Sequence, residues 1–560
     1  MKFITLDTET TGLRPYCGDT PFLFAITSPE VVTCTNHAED MRFLENYDGV
    51  VAGFNINFDR AMLETLGITM NKCDFLEVKM LARVLYNCHP SYSLGDCAAR
   101  EGLEKSSAVE EYINKHKLFT KIPVPGTKKT KKIKHFDRVP EDIITPYAKQ
   151  DVSVTQELGR RYLKRIESID SKRDPRHLPL MNVVKLEMEV TKNVYEMQKA
   201  GILLDEDYCK KAAEHYTKIQ KSAENQWMQI VGREFVDSTE ELHKVFFPLG
   251  YTPGVTKNGG EAWDQETLQK VDHPAARIVE THRDATKRLS SFFLSFLDHK
   301  GLDGRIHPEL DSSGTKTGRF SCKNPNLQQL SDDDEKTCAF PVRRAFIPTP
   351  GSRFVSIDYR QQELRLLADL AGETRLCNNI NSGMDPHDAT ALEVGVTRRQ
   401  AKDINFGILY GMGIDSLAKK LGVSNKEAYE LRRMYYGRLP RIKIFTERVR
   451  ELAERRGWVK APSGRVFHFP DRKKAYRAVN AIIQGGAADI TKRAITLTSA
   501  RLVDRKSRLL LPVHDELIFE DFGDLDITEV QSLMVQAYDH RLLPMDTSVA
   551  IGHENLHDLT

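Results

Sequence analysis

The sequence lacks the patterns of a disulfide scaffold or a zinc finger, because its nine cysteines are scattered and no two form a C-x-x-C pair. The N-terminus, MKFITLDTETTGL, carries acids where a signal peptide has an apolar run. No stretch approaches the roughly 20 apolar residues of a membrane-spanning helix. These absences favour a cytosolic-type protein with no membrane partner.

There is also no excess of charge of either sign, since 81 Lys and Arg face 79 Asp and Glu. A nucleic-acid binder would have to segregate these charges, so the total neither supports nor excludes that class. At 560 residues the chain is too long for one hydrophobic core, and about two to four domains are expected. We find no internal repeat of about 20 to 50 residues.

Several segments have a recognisable character. The first 160 residues alternate strand-like and helix-like pieces, which predicts a mixed α/β domain. Residues 121–135, KIPVPGTKKTKKIKH, read as a basic loop, and a solvated insertion is favoured over a nucleic-acid arm. Residues 186–300 are predicted to be long-helical, with Gly201 as the C-cap of one helix. Strand signals return after residue 300, followed by helices and a C-terminal hairpin.

The hairpin LLLPVHDELIFED, residues 509–521, has an unusual turn. Tight hairpins usually turn on Asn-Gly or Asp-Gly, but Asp515 and Glu516 are consecutive acids here, and no glycine is present. A second strand, RFVSIDY, ends at Asp358. If the two strands are neighbours, Asp358 and Asp515 meet at the sheet edge and form a carboxylate cradle for two metal ions. Metal binding, and not turn chemistry, then explains the acids.

Residues 397–413, TRRQAKDINFGILYGMG, place Arg398, Lys402, Phe406 and Tyr410 at intervals of four. Each step turns about 400°, so the four side chains share one stripe of a helix. Two cations followed by two aromatic rings suit a triphosphate and a base. For this helix alone, a salt-bridged surface with buried aromatics explains the pattern equally well. The acids of the other two segments favour the nucleotide.

The N-terminal region holds a second set of acids. Asp7 and Glu9 are two apart at the end of a strand and point to one face, while Asp59 begins a helix. Tyr147 and Asp151 are one helical turn apart. Close carboxylates repel by about 4 kcal/mol per pair at an effective dielectric of 20, so such a cluster needs cations. Two divalent ions roughly 4 Å apart would also clamp a phosphodiester.

These five residues resemble the motifs of the DEDD-type 3′→5′ exonucleases, in the variant with tyrosine in the third motif. The resemblance implies an RNase-H-like sheet. It also implies that Asp7, Glu9, Asp59 and Asp151 are metal ligands and that Tyr147 positions the attacking water.

The C-terminal segments resemble motifs A, B and C of the family A DNA polymerases, the group of bacterial DNA polymerase I and many phage replicases. Motif A, D-Y-S-Q-I-E-L-R, stands here as DYRQQELR from Asp358 to Arg365. Motif B, R-x3-K-x3-F-x3-Y-G, begins at Arg398, and motif C, V-H-D-E, is residues 513–516. Further matches are TKTGRFSCKNPNLQQL, DPHDATA, VNAIIQGGAADITKRA and the tail GHENLHDL.

The sequence also departs from the family pattern. Arg360 and Gln362 replace the usual serine and isoleucine of motif A, and Tyr476 stands where an arginine is usual, with Arg477 after it. The 5′-nuclease domain of bacterial DNA polymerase I is expected to be absent, since the chain begins at the exonuclease motifs. The helical region shows no large insertion of the kind that recruits a processivity partner. This organisation resembles a bacteriophage replicase.

The fold implied by the resemblance is a multidomain α/β and α+β protein, an RNase-H-like exonuclease followed by a right-hand polymerase with an antiparallel palm and helical thumb and fingers. The expected domains are the exonuclease at 1–185, the thumb at 186–300, the palm at 301–372 and 456–560, and the fingers at 373–455.

The implied function is template-directed addition of dNTPs to a primer 3′-OH, with proofreading. Two Mg²⁺ ions are expected at each centre, with Mn²⁺ able to substitute. The implied partners are primer-template DNA and dNTPs, with a phage helicase-primase or single-strand-binding protein as candidates. A monomer in the bacterial host cytoplasm is expected.

The resemblance also implies residue roles at the polymerase centre. Asp358 and Asp515 hold the ions, helped by Glu516 and the backbone carbonyl of Tyr359. Lys402 protonates pyrophosphate, and Glu363, held by Tyr410, excludes a ribose 2′-hydroxyl. The nucleotide-binding set is Gln361, Glu363, His387, Arg398, Lys402, Phe406 and Tyr410. The set at the DNA minor groove is Arg319, Asn480, Gln484 and His514.

Two other classes remain open from sequence. One is a dedicated nuclease whose C-terminal part only binds DNA, and the other is a DNA-binding scaffold with both centres inactive. The intact Asp358, Asp515, Arg398 and Lys402 argue against both.

Overall fold

The computed structural model describes residues 1–28, 31–125, 130–175, 178–256 and 259–560. Its N-terminal sheet has the order β3-β2-β1-β4-β5, in which β1 is antiparallel to β2 and parallel to β4. The strands are β1 (Ile4–Thr10), β2 (Pro21–Thr27), β3 (Val32–Thr35), β4 (Val50–Gly53) and β5 (Asp74–Glu77). This mixed sheet confirms the predicted α/β character of the region.

Helices cover both faces of this sheet, because alternate residues of each strand are apolar on opposite sides. Phe24 packs in a cluster with Ile56 and Leu63, whereas Leu23 and Ala25 pack in another. The helices are α1 (Ile56–Thr65), α2 (Val78–Leu85), α3 (Leu94–Arg100), α4 (Ala108–His116) and α5 (Glu141–Ser171).

The basic segment 121–135 is not a plain loop, and that interpretation was wrong. It contributes to an antiparallel hairpin of β6 (Phe119–Pro123) and β7 (Thr130–Lys134), whose backbones pair along their whole length in a largely exposed ribbon. Residues 126–129 of the segment lie outside the described residues.

A long helix joins the N-terminal region to the rest of the chain. Helix α6 (Leu180–Ala200) ends at Gly201, whose backbone has φ +57°, so the predicted C-cap is confirmed. Leu180 and Val183 pack into an N-terminal cluster, and Val190 packs into the large C-terminal core. The expected boundary at 185/186 therefore falls inside one continuous helix.

The following helical region is confirmed and carries its own small core around Trp227 and Trp263. Its elements are β8 (Ile202–Leu203), α7 (Glu206–Val231), α8 (Thr239–Phe246), β9 (Gly254–Val255), β10 (Glu261–Ala262), α9 (Gln265–Leu268), α10 (Pro274–Lys287) and α11 (Leu294–His299). A π-helical segment, Arg288–Phe293, joins the last two helices.

After residue 300 strands come first and helices follow, as predicted. The strands are β11 (Arg305–Ile306), β12 (Glu309–Asp311), β13 (Ser321–Lys323) and β14 (Arg353–Tyr359). The helices are α12 (Gln362–Ala371), α13 (Thr374–Asn381), α14 (Pro386–Val394), α15 (Arg398–Leu409), α16 (Ile414–Leu421), α17 (Asn425–Arg438) and α18 (Pro440–Arg456).

A four-stranded antiparallel sheet of order β17-β18-β14-β19 forms the centre of the C-terminal half. Its buried strands pack on α12 and α19 in the largest hydrophobic cluster. The remaining elements are β15 (Trp458–Lys460), β16 (Val466–His468), α19 (Ala478–Leu502), β17 (Arg508–Val513), β18 (Glu516–Asp521), α20 (Ile527–Gln536) and β19 (Thr547–Gly552). Across the described ranges, no helix is long and apolar enough to cross a membrane.

A buried ionic network fastens three parts of this half together. Arg465, which precedes β16, lies 2.6 Å from Glu187 of α6 and 2.6 Å from Asp489 of α19. Lys492 of α19 also pairs with Glu187. Two acids and two cations make the network electrically neutral, which is the condition under which buried charges are tolerated.

Candidate active sites

The C-terminal hairpin and β14 bring three acids together. Strand β18 is antiparallel to β14, and Asp358 lies directly opposite Glu516 in this pairing. The backbone N–H of Tyr359 donates to the carbonyl of Asp515 at 3.3 Å. His514 and Asp515 form the two-residue turn, and His514 takes a positive φ of 59°, which non-glycine residues adopt uncommonly. The predicted meeting of the strands is confirmed.

Burial makes these carboxylates difficult to ionise together. It raises the pKa of Asp358 to about 7, and the charges of Asp515 and Glu516 add to the effect. Burial also raises the pKa of Asp515 and of Glu516, although Ser356 donates a hydrogen bond to the latter. A divalent cation would relieve this cost, and carboxylate oxygens are the ligands that Mg²⁺ prefers.

The acids do not form a complete cage. In the described part of the chain, no three His, Cys, Asp or Glu side chains converge as a full metal-ligand set. Asp358 and Asp515 fit an ion that takes its other ligands from backbone, water or substrate phosphate, which is how Mg²⁺ is commonly bound.

A cavity of about 600 Å³ opens beside Asp515. Eight of the predicted site residues line it, namely Arg319, Gln361, Glu363, His387, Phe406, Tyr410, His514 and Asp515. The predicted residues Asp358, Arg398, Lys402, Asn480 and Gln484 do not belong to this lining. The cavity therefore brings together most of the expected base, sugar and minor-groove residues, with the two cations of α15 outside it.

Helix α15 begins with a capping box between Thr397 and Gln400. Phe406 and Tyr410 stack with ring centroids 6.0 Å apart and an interplanar angle of 13°. The predicted stripe therefore exists, although Tyr410 is the C-cap residue and lies just beyond the last helical residue. Lys402 is exposed on the same helix.

The cation at the start of α15 already has partners. Arg398 pairs with Asp385 at 3.4 Å and with Asp388 at 3.2 Å, and about half of its side chain is exposed. Asp385 also caps α14 and accepts a hydrogen bond from Gln361 at 3.2 Å. Sequence reasoning missed these two acids, because the DPHDATA match drew attention only to His387.

His387 is buried, and its Nδ1 lies 3.1 Å from Nδ2 of Asn405. Burial lowers the pKa of His387, and the nearby charges of Arg398 and Lys402 lower it further. The imidazole ring also lies 5.9 Å from the Phe406 ring. The imidazole is thus held at the cavity wall between Asn405 and Phe406.

Glu363 forms an ion pair with Arg319. Burial raises the pKa of Glu363, and the Arg319 charge opposes that rise. We expected Tyr410 to hold this carboxylate, but that was wrong, because its partner is Arg319. An arginine can neutralise the buried negative charge, whereas a phenol cannot. Burial raises the pKa of Tyr410, and the nearby charge of Glu363 adds to the rise.

Helix α19 brings Asn480 and Gln484 toward the same region, where both are partly buried. Gly411, with φ +61°, packs against the residue that replaces the usual arginine, because a Cβ there would lie 2.6 Å from the Tyr476 carbonyl oxygen. Arg477 donates a hydrogen bond to the Tyr476 hydroxyl at 2.9 Å. The displaced arginine is therefore engaged by its own neighbour.

A second centre lies at β1, the central strand of the N-terminal sheet. Asp7 and Glu9 are on β1, and Asp59 of α1 accepts two hydrogen bonds from Thr8, at 3.0 Å from its N–H and 2.8 Å from its hydroxyl. Asp151 is buried on α5. Burial raises the pKa of all four acids, that of Asp7 to about 7, and the Asp151 charge contributes to the rise at Asp7.

Sequence reasoning missed a cation in this centre. Lys105, between α3 and α4, donates to Asp151 Oδ1 at 2.6 Å and to the Tyr147 hydroxyl at 3.1 Å. Its ammonium also lies 4.3 Å from the centroid of the Tyr147 ring. The surrounding LEKSS carries no local signal for such a role.

Comparison with known proteins supplies the family. DNA polymerase I of Chloroflexus aurantiacus is 28% identical over 98% of this chain and 60% of its own length. DNA polymerase I of Treponema pallidum is 32% identical over 69% of this chain and 40% of its own length. The chain thus spans less than two thirds of these bacterial relatives. DNA polymerase DpoZ of Salmonella phage PMBT28 is 27% identical over 95% of this chain and 92% of its own length.

A solved structure shares the fold. The POL domain of Pol1 from M. smegmatis, in complex with DNA primer-template and dNTP, superposes with a TM-score of 0.80 at 24% identity and covers 99% of this chain and 96% of that one. Residues 206–557 match the family described as DNA polymerase family A. Because this match spans more than half of the chain, the protein belongs to DNA polymerase family A.

Proposed function

We propose that the protein is a template-directed DNA polymerase that adds dNTPs to a primer 3′-OH by two-metal phosphoryl transfer. The observation that carries this proposal is the convergence of Asp358 and Asp515 beside a cavity lined by Arg319, Phe406 and Tyr410. The family membership and the DNA-bound structural relative support it. The proposed domains are the thumb at 186–300, the palm at 301–372 and 456–560, and the fingers at 373–455, although the first boundary falls inside α6.

Asp358 and Asp515 hold two Mg²⁺ ions, for which Mn²⁺ can substitute, with Glu516 and the Tyr359 carbonyl in support. When bound, the ions stabilise charge on the attacking and leaving oxygens of an in-line displacement. The buried carboxylates fit this role because their negative charges have little compensation from the protein.

The chain's own residues position the substrates. Arg398, Lys402 and His387 bind the triphosphate, which requires Arg398 to exchange its two aspartates for phosphate oxygens. Lys402 is exposed and free to approach the leaving group, so it is the residue that donates a proton to pyrophosphate. The stacked Phe406 and Tyr410 form the floor beneath the incoming base, with Gln361 and Glu363 at its sugar.

The DNA end is bound on the opposite side of the cavity. Arg319, Asn480, Gln484 and His514 contact the minor groove of the terminal base pair. Acceptors occupy similar places there in A·T and G·C pairs, so donors such as Arg319 accept any correct pair. The Arg319–Glu363 ion pair links this readout to the sugar of the nucleotide.

The N-terminal centre, residues 1–185, is proposed to be a 3′→5′ proofreading exonuclease with an RNase-H-like sheet. Asp7, Glu9, Asp59 and Asp151 bind two divalent ions, and Tyr147 positions the attacking water. Support comes from the charge interactions that link Asp7 with Glu9, Asp59 and Asp151, and from Lys105, which bonds both Asp151 and Tyr147. The likeness of the chain to a phage polymerase along almost its full length supports a replicative role in a bacteriophage.

One primer-extension experiment tests these proposals against the alternatives. A 5′-labelled primer-template is incubated with protein and Mg²⁺, with and without dNTPs. Extension with dNTPs and shortening without them are expected. Shortening in both conditions would indicate a dedicated nuclease, and an unchanged primer in both would indicate a binding scaffold.

A further inference from the structure

Lys105 occupies the N-terminal acidic centre in a defined geometry. Its ammonium contacts both oxygens of Asp151 and lies 3.1 Å from the Tyr147 hydroxyl. The Lys105 side chain is 21% exposed and that of Asp151 only 9%. This pair is therefore more shielded from water than the surface ion pairs that contribute little.

The same ammonium faces the acids of β1. Its positive charge opposes those of Asp7 and Glu9, as well as that of Asp151. When both oxygens of a carboxylate accept hydrogen bonds from one ammonium, the lone pairs that face the ammonium are already in use. A divalent cation that takes Asp151 as a ligand needs those lone pairs and also meets the repulsion of the lysine charge.

We propose that Lys105 is the counter-cation of the metal-free centre, and that a divalent cation binds by displacing its ammonium from Asp151. Because the ammonium also holds Tyr147, its departure frees the phenol at the moment that the metal arrives. Lys105 is thus a positioning residue that couples metal occupancy to the orientation of Tyr147. The inference rests on the proposed exonuclease centre.

Direct Mn²⁺ binding tests the competition. Isothermal titration uses the full chain with Asp358→Asn and Asp515→Asn, so that the palm carboxylates contribute little. Lys105→Met is expected to bind Mn²⁺ at least fivefold more tightly than this parent, and Lys105→Arg, which keeps the cation, within about twofold of it. Lys115→Met removes an exposed lysine from α4 of the same domain and controls for the general change in charge.

Thermal unfolding separates competition from a merely structural role. In EDTA, Lys105→Met is expected to melt at a lower temperature than the parent, because its acids then repel without compensation. Saturating Mn²⁺ should remove that difference, whereas loss of ordinary packing would persist with the metal. The inference is overturned if Lys105→Met binds Mn²⁺ no more tightly than Lys115→Met, or if its melting deficit is the same with and without Mn²⁺.

The proposed function can fail separately. If the protein with an unaltered sequence does not shorten a single-stranded 3′ end in Mg²⁺, the exonuclease assignment is wrong. The Mn²⁺ titrations still decide the role of Lys105 in that case.

Discussion

Arg319 and Glu363 form an ion pair at the wall of the proposed nucleotide cavity, although 43 residues separate them in the chain. Arg319 belongs to the segment before β13, and Glu363 lies in the first turn of α12. Only 14% of the Glu363 side chain is exposed, against 35% for Arg319. A carboxylate fixed in this way presents a rigid wall to whatever enters the cavity.

This wall predicts sugar selectivity. A ribonucleotide adds one 2′-hydroxyl, and open pockets reject an added hydroxyl poorly. A thousandfold discrimination requires about 4 kcal/mol of differential transition-state binding, which a fixed carboxylate can supply by exclusion. Glu363→Ala is expected to lower the preference for dCTP over rCTP at least tenfold while synthesis with dCTP persists. The ratio of single-turnover kpol/Kd values for dCTP and rCTP measures this preference.

Glu447→Ala, which truncates an exposed glutamate on α18, is the matched control and should leave the ratio unchanged. Equal ratios in Glu363→Ala and the parent would show that Glu363 does not select the sugar.

The sequence predicted the features that rest on local periodicity. The strand that ends at Asp358 and the two strands around the 513–516 turn followed from their short apolar patterns, and the α15 stripe followed from spacing by four. Both patterns are fixed by backbone geometry, so they survive without knowledge of tertiary contacts.

Long-range pairings could not be predicted in the same way. Lys105 meets Asp151 across 46 residues, and Arg319 replaces Tyr410 as the partner of Glu363. Such choices depend on which charge is brought within reach of a buried acid, and single-sequence periodicity carries no such information. The β6–β7 hairpin was missed because its lysines resemble a solvated charge run.

The two acidic centres should be separable, since they lie in different sheets and pack in different hydrophobic clusters. Asp7→Ala with Glu9→Ala is expected to abolish shortening of single-stranded 3′ ends and to leave primer extension within about twofold. Asp358→Ala should abolish extension and leave shortening intact. Gel assays on proteins with matched circular dichroism measure both. Loss of both activities in either variant would contradict the two-centre assignment.

Asp358 predicts a pH dependence of stability in the metal-free protein. Its pKa rises from 3.8 to about 7 on folding, so the folded state binds the proton more tightly than the unfolded state. The stabilisation from that proton is complete below about pH 4 and is lost as the pH rises through 7. In EDTA, the free energy of unfolding of Asp358→Asn, relative to that of the parent, should therefore rise by about 2 kcal/mol between pH 5 and pH 8.

Urea unfolding at the two pH values measures this gain, and Asp539→Asn, an exposed change, controls for net charge. Mg²⁺ should reduce the gain at pH 8, because the parent carboxylates then have a partner. An equal free energy of unfolding for Asp358→Asn and the parent at pH 8 would contradict the prediction.

The buried network of Glu187, Arg465, Asp489 and Lys492 predicts a strong interaction between two substitutions. Lys492 is fully buried, and Lys492→Met removes one of two cations and leaves the network with a net negative charge. Breaking a buried pair in this way costs about 3–5 kcal/mol. Glu187→Gln in addition restores neutrality and should recover at least half of the loss in urea unfolding, whereas Lys443→Met on exposed α18 should cost less than about 0.5 kcal/mol.

The network also lies beneath the loop that carries Arg319, because a Cβ on Gly318 would come within 2.9 Å of the Arg465 guanidinium carbon. Lys492→Met is therefore expected to slow primer extension more than shortening of 3′ ends. The loop that carries Arg319 packs on the altered ionic network, whereas the N-terminal centre does not. Rates of both reactions, measured below the melting temperature of the variant, test this. Additive effects of Lys492→Met and Glu187→Gln on the free energy of unfolding would show that Lys492 and Glu187 do not stabilise each other. Equal slowing of primer extension and of 3′-end shortening would show that the network does not position the loop.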